Sequence, residues 1–288
     1  MITIVGPGGV GGLLAALLIR SGAEVTVVAR PATAERLGRD GLTVESAKYG
    51  NFTVNPTVTL VAPGGPPAII AVKQYGLADV IPDLAVAQPT EILSLLNGVV
   101  HAPLVHNAFP ASVTTNGSIT VVVERRADGV IHHPVNFLQV VVPADAAGSA
   151  IVAALRAADV DVKAQGSELE VLWRKLSFLA PMALLTSWAD APLGEALNRD
   201  PEFTRGIVEE VAAIATAEGV RTSPQQLHEY LEGLAPGAMS SLALDVRRGG
   251  PTELGALGDD LIYRAGNHSI STPTIERAVN TIGARLGG

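Results

Sequence analysis

The feature that most constrains this chain is a glycine-rich run at residues 6–11, which matches the pattern G-x-G-x-x-G. The apolar residues 2–5 before it predict a short strand, and the apolar residues 10–20 predict a helix. A glycine turn between strand and helix lets the backbone approach a pyrophosphate, and the helix start adds N–H groups and a positive dipole end. The run therefore predicts a dinucleotide-binding turn, the alternative being a glycine turn without ligand. The residues expected to contact the cofactor are Gly6, Pro7, Gly8, Gly9, Val10 and Gly11.

The end of the second predicted strand, residues 24–29, carries no carboxylate. Chains that bind NAD usually place Asp or Glu there, where it accepts hydrogen bonds from the ribose hydroxyls. Arg30 stands there instead, and its guanidinium suits the adenosine 2′-phosphate through a bidentate, charge-assisted contact. The alternative is an ordinary solvated arginine at a strand end. The sequence thus predicts NADPH in preference to NADH.

Strand-like and helix-like segments alternate along the first half of the chain, which predicts a parallel, doubly wound sheet. Two β-branched runs around Asp128-Gly129 predict an antiparallel hairpin, with Arg125 and Arg126 solvated at its end. Beyond Gly166 the spacing predicts helices only, at about 167–187, 201–218, 224–233, 238–248, 252–266 and 273–285. We expect an α/β chain with an N-terminal Rossmann-type domain over residues 1–165 and an all-helical C-terminal domain over residues 166–288.

Composition excludes several classes of function. Hydrophobic residues make up 48% of the 288 and charged residues 17%, which is typical of a globular protein. A net charge of −8 argues against binding to nucleic acid or to an anionic membrane. Cysteine is absent, which excludes disulfides, thiolate metal sites and a cysteine nucleophile. Glycines interrupt the uncharged N-terminal run, so we expect a cytoplasmic protein without a signal or anchor.

The helix predicted from about residue 167 carries an unusual cation. Only four of the 20 basic residues are lysines, and lysine, unlike arginine, shifts its pKa readily when buried. Lys175 lies about 60° around the helix from Leu172, at the edge of an apolar stripe. Spacing alone favours a lysine whose stem packs and whose ammonium reaches solvent. The stripe consists of Leu169, Leu172, Leu176, Leu179 and Ala183.

Several short segments occur in a specific order and spacing. They are residues 6–12, Arg30, Val72-Lys73, Asn97-Gly98, residues 113–115, residues 173–176, Ser240-Ser241, Asp245, Arg248, Thr252-Glu253 and Leu257. Together they resemble the ketopantoate reductase (2-dehydropantoate 2-reductase) family over nearly the whole chain. The resemblance implies a Rossmann domain followed by a helical domain, with the active site in the cleft between them. It also implies NADPH-dependent reduction of 2-dehydropantoate to pantoate, in pantothenate synthesis.

The resemblance implies roles for five residues. Lys175 would be the general acid that protonates the carbonyl oxygen as hydride arrives, and Glu253 would position the substrate and that lysine. Asn97 and Lys73 match positions at the nicotinamide, Asn97 also facing the substrate, and Ser241 matches one that hydrogen-bonds the substrate carboxylate. Burial that lowers the pKa of Lys175 from about 10.4 would make it a better acid. The alternatives are a turn residue for Asn97, a helix-start carboxylate for Glu253 and a buried hydroxyl for Ser241.

The chain also departs from the family pattern. The asparagines typical four and eight residues after the catalytic lysine are Leu179 and Ala183 here. A site without those two hydrogen-bonding side chains should bind a small polar keto acid poorly and accept a more apolar carbonyl compound. Further departures are Gly76 in place of Gln, with Gln74 nearby, and Gly255 and Gly258 in place of Asp and Asn.

Two other functions stay open at this stage. One is a dehydrogenase of the same two-domain plan that acts on 3-hydroxy acids, against which Lys175 and Glu253 argue. The other is an NADPH-binding sensor without turnover, which Leu179 and Ala183 favour. His132 and His133 receive no role and no metal site is predicted, since adjacent strand residues point to opposite faces. Apolar positions such as Ile207, Val211 and Ile214 fit either a core or a homodimer surface.

Overall fold

The computed structural model describes residues 1–287, which form two units. The first unit comprises Met1–Leu96 and His101–Val171. The second comprises Asn97–Val100 and the chain from Leu172 onward. The short segment at Asn97 thus groups with the helical part of the chain, although it lies within the first domain predicted from the sequence. The domain boundary at residue 165 remains a proposal.

The first unit is built on a six-stranded sheet whose recorded strand pairs are all parallel, in the order β5-β2-β1-β6-β7-β8. The predicted doubly wound α/β fold is therefore confirmed. The elements in chain order are β1 (Ile2–Val5), α1 (Gly9–Arg20), β2 (Val25–Val28), α2 (Pro31–Asp40), β3 (Leu42–Ser46), β4 (Gly50–Val54), β5 (Thr57–Thr59), β6 (Ala68–Ile70), α3 (Leu77–Ala87), β7 (Glu91–Ser94), α4 (His101–Ala108), β8 (Val113–Asn116), β9 (Ser118–Val121), β10 (Glu124–Arg125), β11 (Ile131–His133), β12 (Leu138–Val142), α5 (Ala150–Ala157) and β13 (Asp161–Ala164), with short 3₁₀ turns at Gln74–Gly76 and Ala144–Gly148.

Helices cover both faces of this sheet because its strands are apolar on both sides. On one face α1 and α5 pack in a large core that includes Ile4, Leu14 and Leu155. On the other face α3 and α4 pack around Val5, Ile70 and Val105. The strand order changes direction between β1 and β6, and in such sheets ligands bind at the carboxyl ends of the strands at this switch point.

The segment around Asp128-Gly129 forms two antiparallel strand pairs. Only the two-residue strand β10 pairs with β11 across that turn. The longer apolar runs, β9 and β12, pair antiparallel with each other in a separate three-stranded sheet with β13. The antiparallel strands predicted on either side of the turn are therefore confirmed, although β9–β12 and β10–β11 belong to two different sheets.

The second unit is helical, as predicted, and one of its helices was missed. Its elements are α6 (Glu168–Ala189), α7 (Leu193–Arg199), α8 (Pro201–Ala217), α9 (Pro224–Glu232), α10 (Ser241–Arg248), a π-helical turn at Gly255–Asp259, α11 (Asp260–Asn267) and α12 (Pro273–Leu286). The missed helix, α7, has only seven residues, too few to show a periodic pattern.

Burial within the second unit shows whether the apolar positions on α8 are core or surface, and where the buried stripe on α6 begins. Ile207, Val211 and Ile214 on α8 are fully buried in this chain, so they are core residues and not a free dimer surface. Leu169, at the start of the predicted stripe on α6, is 44% exposed, so the buried stripe begins later, at Leu172. Among the described residues, no helix is both long and apolar enough to cross a membrane.

Candidate functional site

The glycine turn after β1 has a backbone that side chains would disrupt. Gly6 has a φ of +91°, which residues with a Cβ rarely adopt. A Cβ on Gly11 would lie 2.2 Å from the Gly6 carbonyl oxygen, so this close approach of helix and turn requires glycine. A Cβ on Gly8 would meet nothing within 4 Å and would project into open space. The turn fits a pyrophosphate, which needs that space and the N–H groups at the start of α1.

The turn lies at the switch point of the sheet. A Cβ on Gly6 would be 2.6 Å from Val72 Cγ1 and 3.1 Å from the Ala71 carbonyl oxygen. Both residues follow β6, the strand beside β1 where the order reverses. Lys73 comes next and is half-buried in front of the 3₁₀ turn Gln74–Gly76. The first unit therefore places Lys73 near the glycine turn, at the edge where dinucleotides bind in this architecture.

Arg30 is the residue immediately before α2, at the carboxyl end of β2. Its side chain is 82% exposed, and its guanidinium lies 3.5 Å from the Asp79 carboxylate. An ion pair between two exposed side chains contributes little, roughly 0–1 kcal/mol. Arg30 is therefore held weakly in this arrangement and can turn to a phosphate ligand.

Lys175, Asn97 and Glu253 are joined by hydrogen bonds in the second unit. The Lys175 ammonium donates to the Asn97 side-chain oxygen at 2.7 Å. The Asn97 amide nitrogen donates to a Glu253 carboxylate oxygen at 3.2 Å. Lys175 is half-buried and Glu253 is 3% exposed, so the group lies at the border between interior and solvent. The amide thus connects a cation and a carboxylate and orients both.

Close backbone packing places Asn97 in this group. Gly98 has a φ of +82°, and a Cβ there would lie 3.0 Å from the Ala256 carbonyl oxygen. Ala256 belongs to the π-helical turn Gly255–Asp259, which begins two residues after Glu253. Turns of this kind inside helices occur frequently at functional sites. Gly98 therefore lets the residue before it approach Glu253.

A partly buried network of charged side chains holds the helix that follows Glu253. Arg264 on α11 contacts Asp260 at 2.8 Å and Glu218 at 2.7 Å, and His268 lies 3.1 Å from Glu218. Burial raises the pKa of Asp260, while the Arg264 guanidinium opposes that shift. Asp259, one residue earlier, also has its pKa raised by burial. The network attaches α11 to the end of α8 and so stabilises the segment that presents Glu253.

The face of α6 beyond Lys175 is apolar. Leu179, one turn further along, is half-buried, as is Met182. Phe178 is half-buried and packs against the ring of Tyr230, with ring centroids 4.9 Å apart. Ala183 is fully buried and presents nothing to a ligand. This part of α6 therefore supplies apolar surface and no hydrogen-bonding side chain.

The two serines at the start of α10 have different surroundings. Ser240 is buried, its hydroxyl lies 2.7 Å from the Thr186 hydroxyl, and it caps α10 by accepting from the Ala243 N–H. Ser241, the residue that the family resemblance assigns to the substrate, is exposed. Its role as a substrate ligand is a proposal.

His132 and His133 have structural partners. His133 is buried between the Ser46 hydroxyl and the Phe137 carbonyl, at 2.8 and 2.9 Å. His132 lies 2.7 Å from an Arg126 nitrogen. Among the described residues there is no group of three or more His, Asp or Glu side chains that could hold a metal ion.

These features define a class of protein: an α/β unit with a glycine turn at the switch point of its parallel sheet, followed by a helical unit that carries a lysine, an amide and a carboxylate joined by hydrogen bonds. The family model "Ketopantoate reductase PanE/ApbA" matches residues 2–148, and its C-terminal counterpart matches residues 169–285. The chain belongs to this family of oxidoreductases.

Individual relatives are distant in sequence and similar in fold. The chain is 28% identical to the uncharacterized oxidoreductase YkpB of Bacillus subtilis over 287 residues, covering 95% of this chain and 94% of the relative. A PanE/ApbA family ketopantoate reductase from Ralstonia eutropha superposes with a TM-score of 0.90 at 23% identity, covering 100% and 99% of the two chains. A D-mandelate dehydrogenase solved with NADH and anilino(oxo)acetate superposes with a TM-score of 0.89 at 17% identity, with the same coverage. The last two likenesses concern the fold alone.

Proposed function

We propose that this chain reduces the carbonyl group of a 2-keto acid with an apolar side chain, using NADPH and Lys175 as the proton donor. The observation that carries the proposal is the hydrogen-bonded group of Lys175, Asn97 and Glu253. Bound NADPH would supply a hydride to the carbonyl carbon. The Lys175 ammonium would give its proton to the carbonyl oxygen, so that the product is a 2-hydroxy acid with NADP⁺.

The three side chains divide this work. A lysine on a flexible stem needs an orienting partner, and the Asn97 oxygen accepts one of its N–H groups. Glu253 fixes the amide so that its oxygen, and not its nitrogen, faces the ammonium. Asn97 and Glu253 would thereby hold the proton donor in one direction, which is what general acid catalysis requires.

The apolar face of α6 determines the preferred substrate in this proposal. Leu179 replaces an amide at the position where the family binds a polar substrate group, and Ala183 is buried. A substrate hydroxyl placed against Leu179 would lose its hydrogen bonds to water without replacement, at a cost of about 1–3 kcal/mol. An apolar substituent would gain burial there instead. The D-mandelate dehydrogenase with anilino(oxo)acetate motivates including an aromatic keto acid among the substrates tested.

The test compares two substrates that differ by one hydroxyl group, ketopantoate and trimethylpyruvate, with benzoylformate as the aromatic member. NADPH oxidation is followed for each at steady state, and NADPH binding is measured separately by fluorescence. We expect kcat/KM to be higher for trimethylpyruvate than for ketopantoate. Efficient turnover of ketopantoate in preference to trimethylpyruvate would overturn the substrate assignment and favour a role in pantothenate synthesis.

The same measurements test the alternative function, an NADPH-binding sensor without turnover. Tight NADPH binding with no turnover on any keto acid would favour that function over the reductase. Retention of Lys175 in contact with Asn97 supports the reductase, because a sensor has no need of an oriented proton donor. The preference for NADPH is supported by Arg30 at the end of β2 and by the absence of a carboxylate there. Equal affinity for NADH and NADPH would overturn it.

A further inference from the structure

Besides Arg30, two further arginines lie near the glycine turn: Arg125 on strand β10 and Arg36 on helix α2. A Cβ on Gly9 would be 2.9 Å from the Val123 carbonyl oxygen and 3.2 Å from Glu124 Cα. The segment entering β10 therefore passes directly over the start of α1. Arg125 is the next residue of that strand and is exposed to solvent.

The Arg125 side chain contacts the first turn of α2, the helix that starts directly after Arg30. Its guanidinium donates to the Thr33 hydroxyl at 3.5 Å. Thr33 lies in the first turn of α2, where its N–H bonds the Arg30 carbonyl at 2.9 Å. The end of β2, the first turn of α2 and the side chain of Arg125 thus meet in one corner of the first unit. That corner adjoins the turn expected to hold the pyrophosphate.

A third guanidinium, that of Arg36, lies in the same corner. It donates to the Gly129 carbonyl at 3.4 Å through one terminal nitrogen. The other terminal nitrogen is buried and meets no acceptor among the described residues. Burial lowers the pKa of Arg125, and the positive charge of Arg36 lowers it further. Two cations are therefore close enough to repel each other: Arg125 bonds a hydroxyl, and Arg36 bonds a carbonyl and also interacts electrostatically with the Asp40 carboxylate.

The neighbouring residue Arg126 has a structural role on this hairpin and provides a comparison for Arg125. Arg126 donates to the Glu45 carboxylate at 2.7 Å and also contacts His132. Its charge is balanced by the protein itself. Arg125 differs by one position and faces Thr33 and Arg36 in place of a carboxylate, so its charge is available for an anionic ligand.

We propose that Arg125, with Thr33 and Arg36, forms a second part of the site for the adenosine 2′-phosphate, beside Arg30. The inference rests on the proposed use of NADPH. A phosphate dianion accepts several charge-assisted hydrogen bonds and relieves the repulsion between two guanidiniums. The Thr33 hydroxyl adds a neutral donor. The cofactor preference then depends on the β10–β11 hairpin, which belongs to the four-stranded sheet β10-β11-β3-β4, as well as on the end of β2.

The test uses ligands that lack the nicotinamide, so that it does not depend on turnover. Adenosine 2′,5′-bisphosphate and adenosine 5′-monophosphate are titrated by calorimetry into the full-length protein and into Arg125→Ala, Arg126→Ala and Arg30→Ala. Arg126→Ala is the matched control because it removes the same charge from the adjacent residue. We expect Arg125→Ala to weaken the bisphosphate about ten- to a hundredfold and the monophosphate less than twofold, with Arg126→Ala changing neither beyond twofold.

The remaining outcomes separate this inference from the proposed function. If the unmodified protein binds the bisphosphate no more tightly than the monophosphate, the NADPH preference fails and the inference fails with it. If Arg30→Ala abolishes the discrimination and Arg125→Ala leaves it intact, only the role of Arg125 is overturned. Equal losses in Arg125→Ala and Arg126→Ala would assign the effect to overall charge and overturn the inference too. Thermal unfolding of each variant identifies any loss that comes from misfolding, in which case Arg125→Lys replaces Arg125→Ala.

Discussion

The glycine turn of the first unit and the Lys175 group of the second are built in opposite ways. The turn is made by backbone within six consecutive residues, and its glycines are required by contacts as short as 2.2 Å from a would-be Cβ. The lysine group is made by three side chains, with partners 78 and 156 residues apart along the chain. A substitution in the glycine turn creates a steric clash with the backbone, whereas a substitution in the Lys175 group removes a hydrogen bond that orients its neighbour. Variants of the two sites should therefore differ in how they change stability, NADPH affinity and kcat.

The largest effect is expected from Lys175→Ala. Removal of the proton donor should lower kcat about a thousandfold, within the range typical of general acid catalysis, and leave NADPH affinity unchanged within about twofold. Stopped-flow or steady-state NADPH oxidation with the best keto acid measures the rate. Lys163→Ala on β13 is the control, since it removes an exposed lysine that belongs to the first unit. A loss of less than tenfold in kcat would rule out Lys175 as the proton donor.

The next effect concerns the backbone site and compares Gly11→Ala with Gly8→Ala. The Gly11 substitution meets the Gly6 carbonyl, so we expect the free energy of unfolding to fall by about 3 kcal/mol and NADPH affinity to fall with it. The Gly8 substitution has open space, so stability should change by less than about 0.5 kcal/mol while NADPH binding weakens. Urea unfolding and NADPH titration measure the two quantities. Equal losses of stability would contradict the distinction drawn between these glycines.

A smaller effect is expected from Asn97→Asp, which keeps the shape of the side chain. The new carboxylate would face the Lys175 ammonium and raise the pKa of that lysine, making it a weaker acid. We expect kcat to fall about tenfold and the alkaline limb of its pH profile to move to higher pH. A pH–rate profile from neutral to alkaline pH measures both. A reduced kcat with an unmoved alkaline limb would mean that Asn97 acts only in packing.

The smallest effect is expected from Leu179→Asn, which restores the family's amide on the apolar face of α6. It should raise the ratio of kcat/KM for ketopantoate to that for trimethylpyruvate by about five- to tenfold, because the substrate hydroxyl regains a partner. Leu169→Asn, at an exposed position on the same helix, is the control and should leave the ratio unchanged. An unchanged ratio in Leu179→Asn would remove Leu179 from the specificity argument.

Much of the fold could be predicted because its signals are local. The alternation of apolar strands and helices in the first part of the chain supplies β1, β2, β6 and β7 of the six-stranded parallel sheet, and the helical character beyond Gly166 is found as well. Pairing between distant strands could not be predicted in the same way. β11 pairs in parallel with β3, which no local signal indicates, whereas the antiparallel pairing of β9 with β12 was predicted from the turn signal at Asp128-Gly129. The short helix α7 escaped detection because seven residues carry no period.

The residues of the candidate site also differ in whether local sequence signals could predict them. Arg30 and the glycines were predicted from their positions relative to a strand end, which the sequence displays, and Lys73 from the family resemblance. The residue that sequence reasoning assigned least completely is Asn97, which was expected at the nicotinamide and is found bridging Lys175 and Glu253. Apart from its match to the family pattern, its sequence signal is the following glycine, whose positive φ and close approach to Ala256 are seen in the structure.

The sequence by itself determined the class of fold, the glycine turn between β1 and α1, and the family, because each of these depends on the spacing of residues near one another in the chain. Only the tertiary structure decided which side chains meet. It placed Asn97 with Lys175 and Glu253, buried Ala183 away from any ligand, and separated Arg125 from Arg126 by giving one of them a carboxylate. Contacts between distant residues follow from how helices and strands pack, and packing depends on the whole chain at once.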